Sequence, residues 1–593
     1  MVAPLKLSVV ISTYNRREAL VSQCLPAILH QDLPADQYEV IVIVDGSTDG
    51  TGPELRELQS DCALRILEQP NSGLSRARNT GIKMSRGELV LFIDDDIVCR
   101  PDVVRRHVEA HAGAEPTVVH GAVYGAVATP ASIVGNAVES WYHEYNRRLA
   151  EHGAAIWPEG VFVIGNSSTP RSTLLACGGL DEDLPAMDDF ELGLRMWKMG
   201  VRFQYLPDAV ACELSVKSWR SYLFSDGEAF GRSEVLICRK HPDYRRRSRL
   251  LAGMGRASWW RRTLKRIAIE APLSPAYFFV PPIWACDKVC RFPFMQKTGL
   301  FLLGIARYLT QLRAAYGEVG SWKDFQAEFA VRLPALLYHR VGPPHQGTLP
   351  GLTVSPARFE RHVRWLARHG FQGICPADWT RWLSEGTPLP KKPVLVTFDD
   401  AYEDTAEFAL PILRRYGFGG AVYVVTNRVG ETNLWDQPKG AGLLRLMDKD
   451  QIRFWAGQGI EFGAHSRTHR DLTKLSASEL EDEVAGSKSD LAALLDSPVD
   501  SFAYPYGYKD EAVEETVRRH FASALTTDEG INDLLDEPHL LRRAYVSPND
   551  PVLGIAWIVR WGTLLYFHDW RVRIRLRTRV RRALGHTASQ PIP

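Results

Sequence analysis

What this 593-residue chain most clearly lacks is a long apolar run. A spanning helix needs roughly 20 consecutive apolar residues. The nearest candidate, Ala271 to Cys286, is uncharged but shorter, and it holds Pro272, Pro275, Pro281 and Pro282. Arg261, Arg262, Lys265 and Arg266 precede it and Lys288, Arg291 and Lys297 follow, so there is no inside/outside asymmetry. The region around 271–306 therefore reads as an interfacial or buried helical hairpin, not a span. Net charge is lacking too: 71 basic against 70 acidic residues leave +1, and no global field argues for nucleic acid. Nine cysteines are scattered, Cys286 and Cys290 being the nearest pair, and no second pair completes a zinc knuckle. They read as reduced, structural thiols. No secretory leader is legible, since Met1-Val-Ala-Pro-Leu-Lys runs straight into the first strand.

What is present is the composition of a soluble globular protein, 45% hydrophobic and 24% charged. The length suggests about three or four units. The stretch that organises the chain is Leu89-Val-Leu-Phe-Ile-Asp-Asp-Asp96, a buried-strand pattern ending in three carboxylates. Open α/β sheets bind ligands at the carboxyl ends of their strands. Three adjacent Asp repel one another unless something positive joins them. A divalent cation bridging a diphosphate would do so, because Mg²⁺ and Mn²⁺ favour oxygen ligands shared with phosphates. A solvated acidic turn is the plain alternative.

Leu7-Ser-Val-Val-Ile-Ser-Thr-Tyr-Asn15 reads as a strand and polar loop, and Arg17 to His30 as a helix. Tyr38-Glu-Val-Ile-Val-Ile-Val-Asp45 is a second buried strand ending in acid, followed by a Gly46–Thr51 turn. Strand–helix alternation predicts a doubly wound sheet. Asp45 and Asp94 are expected to end neighbouring elements.

Together, Val9-Val-Ile-Ser-Thr-Tyr-Asn-Arg16, Val44-Asp-Gly-Ser-Thr-Asp-Gly-Thr51, Asn71-Ser-Gly-Leu-Ser-Arg-Ala-Arg-Asn-Thr-Gly81, the Asp triplet, Cys177-Gly-Gly-Leu-Asp-Glu182 and Asp188-Asp-Phe-Glu-Leu-Gly-Leu-Arg195 resemble the family 2 glycosyltransferases of the GT-A fold. The resemblance covers roughly the first 215 residues. It implies a doubly wound mixed sheet and nucleotide-sugar binding by Thr13, Asn15, Asp45, Arg78 and Asp94, with Asp45 on the base and Arg78 at the diphosphate. It implies Mg or Mn on Asp96, and Asp189, supported by Asp188, as the general base of an inverting transfer. A helix N-terminus would also favour Asp188 and Asp189. Two departures stand out. Val44 replaces the first of two Asp that the family often carries. Ala211-Cys-Glu213 stands where many members place a metal-binding His, so Glu213 is a candidate oxygen ligand. The processive Gln-x-x-Arg-Trp pattern is missing, which predicts addition of one or a few sugars.

Arg245-Arg-Arg-Ser-Arg249 reads as a solvated face or as a site for acceptor phosphate or anionic lipid headgroups. Residues 250–330 read as helices. A second region begins near Leu333. Pro334-Ala-Leu-Leu-Tyr-His339 is a strand, Phe359 to His369 a helix, and Pro393-Val-Leu-Val-Thr-Phe-Asp-Asp400 another acid-ended strand. His465 and His469, four apart, can reach one metal from a helical turn or a tight loop. A satisfied polar surface is the alternative.

Thr397-Phe-Asp-Asp-Ala-Tyr402, His465-Ser-Arg-Thr-His469, Asp471-Leu-Thr-Lys-Leu475 and Phe502-Ala-Tyr-Pro-Tyr-Gly507 resemble the polysaccharide deacetylases of carbohydrate esterase family 4, over about residues 333–550. That resemblance implies a distorted (β/α) barrel. It implies Zn or another divalent cation on Asp400, His465 and His469, Asp399 as the base that activates water, and the Tyr506 backbone N–H at the oxyanion. Phe502-Ala-Tyr504 stands where many members place an Arg that orients the base; Arg542 or Arg543 is the candidate replacement. The family's late acid His has no clean match; His539 and His568 are the candidates. Ala401 replaces a Gly, which is tolerable unless φ is positive there. The tail from Ile555 combines Trp557, Trp561, Tyr566, Phe567 and Trp570 with an Arg-rich run, suiting an anionic membrane surface or a helix packed on the barrel.

The expected organisation is a transferase domain at 1–245, a helical, membrane-surface linker at 246–332, a deacetylase at 333–550 and a basic aromatic tail at 551–593. The expected partners are a UDP-sugar donor and a glycan or lipid-linked glycan acceptor, with peripheral contact to an anionic membrane and no nucleic acid. The expected location is cytoplasmic, at the inner face of the cytoplasmic membrane. The two activities would transfer an N-acetylhexosamine and remove its acetyl group. A transferase carrying a decayed carbohydrate-binding module is the rival reading.

Overall fold

The computed structural model describes residues 5–563 apart from 114, 116, 126–131, 153–163, 215–217, 249, 252–258, 272–273, 290–291, 344–350 and 440–441. Arg249, Cys290, Arg291 and the tail from 564, with Tyr566, Phe567, His568 and Trp570, lie outside the described residues. The chain forms two compact units. One comprises Met1–Lys240 and Ser258–Trp322, the other His241–Ala257 and Lys323–Pro593. Most of the helical stretch read as a linker is therefore part of the first unit.

The first unit is built on an eight-stranded mixed sheet. Its strands are β1 (Leu7–Thr13), β2 (Tyr38–Asp45), β3 (Ala63–Gln69), β4 (Leu89–Ile93), β5 (Ile97–Cys99), β6 (Thr117–Gly125), β7 (Asn166–Pro170) and β8 (Arg202–Glu213), in the order β3-β2-β1-β4-β7-β6-β8-β5. β1 pairs in parallel with β2 from Leu7↔Tyr38 and with β4 from Leu7↔Leu89, while β7 runs antiparallel to β4. Both faces of β1 are covered, as in other parallel sheets. Val9 and Ile11 enter one core with Leu20, Leu25 and Leu55; Val10 enters the other with Ile82, Phe92 and Leu192. Asp45 and Asp94 do not end adjacent strands. β1 lies between β2 and β4, because the chain winds outward on opposite sides of it. That reversal of strand order opens the crevice where doubly wound sheets take ligands. Further helices complete the unit. Pro293–Val319 lies against Asp226–Lys240, so closely that a Cβ on Gly231 would sit 2.1 Å from the Gln311 carbonyl oxygen. Among the described residues no helix is long and apolar enough to cross a membrane.

The second unit is a curled, mainly parallel nine-stranded sheet of the (β/α) barrel type. Its elements are β9 (Leu333–Tyr338), a short pair β10 (Arg340–Val341) and β11 (Thr353–Val354), β12 (Gln372–Ile374), β13 (Pro393–Phe398), β14 (Ala421–Val424), β15 (Glu461–Ala464), β16 (Ser501–Ala503), β17 (Ser523–Leu525), β18 (Ile531–Asn532) and β19 (Ala544–Tyr545). The sheet runs β17-β16-β15-β14-β13-β9-β18, with β12 on β13 and β19 on β9. Helices such as Pro356–Arg368 and Ala477–Leu495 cover its outer face through Phe359, Val363, Leu480 and Val484. Helix Val552–Trp561 buries Ile555 and Ile558 in the same core, so that part of the tail is packed.

Candidate active sites

In the first unit the strand ends of β1, β2 and β4 bring together most of the residues singled out in the sequence. Asn15, at φ 52°, accepts from the Thr48 N–H (2.8 Å) and donates its own N–H to Ser47 Oγ (3.0 Å). It thereby ties the loop after β1 to the loop after β2. Gly46 is required between them. Its φ is 75°, and a Cβ there would lie 2.6 Å from the Asn71 backbone nitrogen. Asp45 is buried and accepts four hydrogen bonds, from Gln69 Nε2 (2.8 Å), Ser72 N–H (2.9 Å), Ser72 Oγ (2.9 Å) and Gly73 N–H (2.9 Å). Arg78, on helix Leu74–Met84, bridges Asp94 (2.7 Å) and Asp188 (3.2 Å), and Ser75 Oγ donates to Asp188 as well (3.0 Å).

Asp188 and Asp189 begin helix Asp188–Lys198, so the helix-terminus reading and the site reading describe the same place. Burial and the neighbouring Asp188 push the Asp189 carboxyl up to about 7, against the pull of Arg78. Burial, with Asp96 and Asp94 adding to it, pushes Asp95 up to about 7 as well. Charge on Asp95 is thus costly at this turn. The chain supplies part of the compensating charge: Arg78 on Asp94, and Arg16 3.6 Å from Asp96. Glu213 pairs across the ladder with Ile97, beside the triplet. Even so, Asp94, Asp96 and Glu213 do not close into a metal-sized trio among the described residues. Thr13 is buried at the end of β1.

In the second unit Asp400, His465 and His469 are buried with ligand atoms within 4.8 Å of one another, the one such trio among the described residues. Asp400 Oδ1 stands 3.3 Å from His469 Nε2 and 3.7 Å from His465 Nε2, has no hydrogen-bond partner, and burial pushes its carboxyl up to about 6. His465 Nδ1 donates to the Ala503 carbonyl (2.7 Å), which fixes the tautomer with Nε2 toward Asp400. An orphaned carboxylate oxygen facing two imidazoles is a donor set that fits a divalent cation such as zinc. The His-x-x-x-His turn is a loop after β15, with Ser466 and His469 at φ 61° and 62°. Glu483, buried on helix Ala477–Leu495, holds it, accepting from the Arg467 and Thr468 N–H groups (2.9 Å each) and from the Thr468 hydroxyl.

Asp399 is clamped by Arg543: Nη1 to Oδ1 2.6 Å, Nη2 to Oδ2 2.9 Å. Arg543 is itself fully buried, with Nε on the Thr526 carbonyl (2.9 Å). Burial alone would raise the Asp399 carboxyl, but Arg543 holds it down to about 2. Arg542 instead meets Asp536 (3.2 Å). Asp400 and Ala401 have φ of 72° and 53°, so the Gly-to-Ala change falls where a Cβ is strained. Tyr506 sits at φ 59° with its ring edge-on to His469 (4.5 Å), and Trp435 stacks on the same imidazole at 4.7 Å. Beyond Tyr506 an open cavity of about 400 Å³ is lined by Asp471, Thr473, Lys474, Gly507, Tyr508 and Lys509.

Three contributors escaped the sequence reading: Glu483, Trp435 and His339. His339 follows β9 and is electrostatically coupled to Asp400 and Asp399, and its Nδ1 is buried without a partner. Its place right after a strand that pairs with β13 was the available signal. His539, by contrast, donates from Nε2 to the Phe521 carbonyl (2.7 Å).

Two family models match the chain, one in each unit. The family described as glycosyl transferase family 2 matches residues 8–161, and the polysaccharide deacetylase family matches residues 386–523. The chain carries a glycosyl transferase family 2 domain toward its N-terminus and a polysaccharide deacetylase domain toward its C-terminus. A Bacillus subtilis (strain 168) protein named for polysaccharide deacetylation, YxkH, is 25% identical over 239 residues, 40% of this chain and 79% of that one. Validoxylamine A glucosyltransferase of Streptomyces hygroscopicus subsp. limoneus is 31% identical over 222 residues. That match takes in 33% of this chain and 48% of the relative, so the chain spans about half of the glucosyltransferase's length. Among solved structures, the mannosyltransferase PcManGT from Pyrobaculum calidifontis, in complex with GDP-Man and Mn²⁺, is 24% identical at a TM-score of 0.37, covering 54% of this chain and 90% of that one.

Proposed function

We propose that the protein is bifunctional. Its first unit transfers a sugar, an N-acetylhexosamine from a UDP donor, to a glycan or lipid-linked glycan. Its second removes an N-acetyl group in the same pathway of surface polysaccharide synthesis. A nucleotide-sugar donor places both reactions in the cytoplasm. The carrying observation is the buried Asp400–His465–His469 trio beside an Asp399 clamped by Arg543. A decayed binding module has no reason to keep two buried carboxylates and a buried guanidinium in register, because each costs free energy unless it is paired.

On this reading Arg78 turns from Asp94 and Asp188 to the donor's diphosphate. Asp45 meets the base and Asp94 the ribose. Asp96 would hold a Mg or Mn ion brought in with the donor, and the ion would neutralise charge developing on the leaving diphosphate. Asp189 takes the proton of the acceptor hydroxyl, and its elevated carboxyl makes transfer rise as pH passes through about 7. In the second unit a bound zinc or similar divalent ion would polarise the acetamide carbonyl. Asp399, kept ionised and oriented by Arg543, takes a proton from water, and the Tyr506 backbone N–H supports the oxyanion. His339, whose imidazole is lowered by burial against the pull of Asp400 and Asp399, would pass a proton to the departing amine once charge builds up beside it, in place of His539 or His568. Tyr508 and the cavity beside it suit a neighbouring sugar ring.

The test runs nucleotide-sugar hydrolysis with Mn²⁺ or Mg²⁺ beside acetate release from N-acetylated oligosaccharides. Asp189→Asn should abolish only the first and Asp400→Asn only the second. UDP release with no acetate from any N-acetylated glycan would leave the transferase-with-binding-module reading standing.

A further inference from the structure

We propose that the exposed face formed by the turn Pro275–Phe279, helix Val280–Lys288 and the first turns of helix Pro293–Val319 docks the protein on an anionic lipid bilayer. In a helix of a water-soluble unit, apolar residues face the core and polar ones face solvent. Here the outward face also carries large exposed rings. On helix Pro293–Val319 the inward stripe is Gly299, Leu303 and Ala306, joined in one core with Ile133 and Leu223. The outward stripe, with i, i+3, i+7, i+10 spacing, is Phe294, Lys297, Phe301 and Gly304. Phe294 is 76% exposed and Phe301 68%. On helix Val280–Lys288 the inward residues are Ile283 and Cys286, and the outward ones Pro281, Trp284, Ala285 and Lys288. The turn before it, Pro275–Phe279, adds Tyr277 and Phe278, the latter 79% exposed. Small residues are needed inward: a Cβ on Gly299 would lie 2.1 Å from Ile133 Cδ1. The rings therefore have no room inside.

Charge selects the occupant. Lys288 sits 5.6 Å over the Trp284 ring, and Lys297 lies between Phe294 and Phe301 on its helix face. The nearby acids are turned away or paired: Asp287 accepts the Ile133 N–H (2.7 Å), and Glu270 meets Arg266 (2.9 Å). Aromatic rings interleaved with lysine match the boundary between acyl chains and anionic headgroups. A second copy seated face to face would set lysine against lysine. With no helix able to span among the described residues, this face lies on the bilayer. The inference is independent of which sugar is transferred.

The experiment is co-sedimentation of the full chain with phosphatidylcholine vesicles, with and without phosphatidylglycerol. The protein should partition to the anionic vesicles. Phe278→Ser/Phe294→Ser/Phe301→Ser should weaken partitioning by at least about ten-fold, given the apolar area withdrawn. Lys288→Glu/Lys297→Glu should erase the preference for phosphatidylglycerol. Unchanged thermal unfolding checks that the variants fold; should the triple variant misfold, quenching of wild-type tryptophan fluorescence by brominated lipid decides. Wild-type protein left in the supernatant with both vesicles, no quenching, or a triple variant that sediments like wild type overturns the proposal. So does a dimer in sedimentation velocity that the triple variant dissolves without any vesicle binding.

Discussion

Replacing Arg543 by Met should both unlock and destabilise the deacetylase unit. Arg543 is fully buried, and its guanidinium spends two hydrogen bonds on Asp399 (2.6 and 2.9 Å), one on the Thr526 carbonyl (2.9 Å) and one on Thr397 Oγ1 (3.3 Å). Met fills similar volume, so the cavity term is small. What remains is an uncompensated carboxylate beside β13. Breaking a buried pair from one side costs about 3–5 kcal/mol. At 1.36 kcal/mol per decade this is a fall in amide-exchange protection of about 150- to 5,000-fold. Because the chain has two units, a single melting temperature would mix them. Exchange at the Val394, Leu395 and Val396 amides of β13, read with a chelator present, reports the second unit alone. Asp399→Asn in the Arg543→Met background should recover part of the loss, since the stranded charge is gone. Acetate release should fall at least about a hundred-fold in Arg543→Met, because the base is no longer held in place. Protection reduced by less than ten-fold, or a double variant no better than the single, would refute the view that this pair organises the site.

Glu483→Ala withdraws three hydrogen bonds from the loop that carries both histidines. Metal affinity, measured by competition with a chromogenic chelator, should drop by roughly 10- to 100-fold while Asp400, His465 and His469 stay in place. The first unit should lose stability as pH falls. His107 and His111 are pushed down to about 4 and His120 to about 3, in each case by burial, against an ordinary value near 6.5. Depressed histidines bind fewer protons than the unfolded chain, so their contribution is complete above about 6.5 and is lost as pH drops toward 4. Exchange at the β7 amides from pH 8 to pH 5 should show the decline, and His107→Leu should flatten it.

How much of this was legible depends on the range of the interaction. The acid-ended strands were readable because a β-branched apolar run closed by Asp is a local pattern, and β2 and β13 begin and end within a residue or two of where it placed them. The histidine pair was readable from spacing, though not that its loop would need two positive φ angles and a buried Glu483 to hold it. Strand order was not readable. Nothing in residues 38–96 says that β4 joins the far side of β1, which is why Asp45 and Asp94 flank a strand instead of ending adjacent ones.

Partners supplied from far along the chain were the hardest. Arg543 reaches Asp399 across 144 residues, and the sequence offered Arg542 on equal terms. Only the pleat of the sheet separates them: β19 pairs Ala544 with Leu336, which sets Arg543 level with the middle of β13, and its long side chain reaches along the strand to Asp399, while Arg542 is carried to Asp536. His339 was passed over for the opposite reason. It lies far upstream, at the end of β9, the first strand of the unit, which pairs with β13 and delivers the residue after it to the same carboxyl end. In a parallel sheet every strand contributes to one rim, so sequence order says little about which strand end completes a site. The better guide is the residue just past each apolar run. By that rule His339, Asp399 and His465, which follow β9, β13 and β15, form a single set, and Asp45 and Asp94 the corresponding set at β2 and β4.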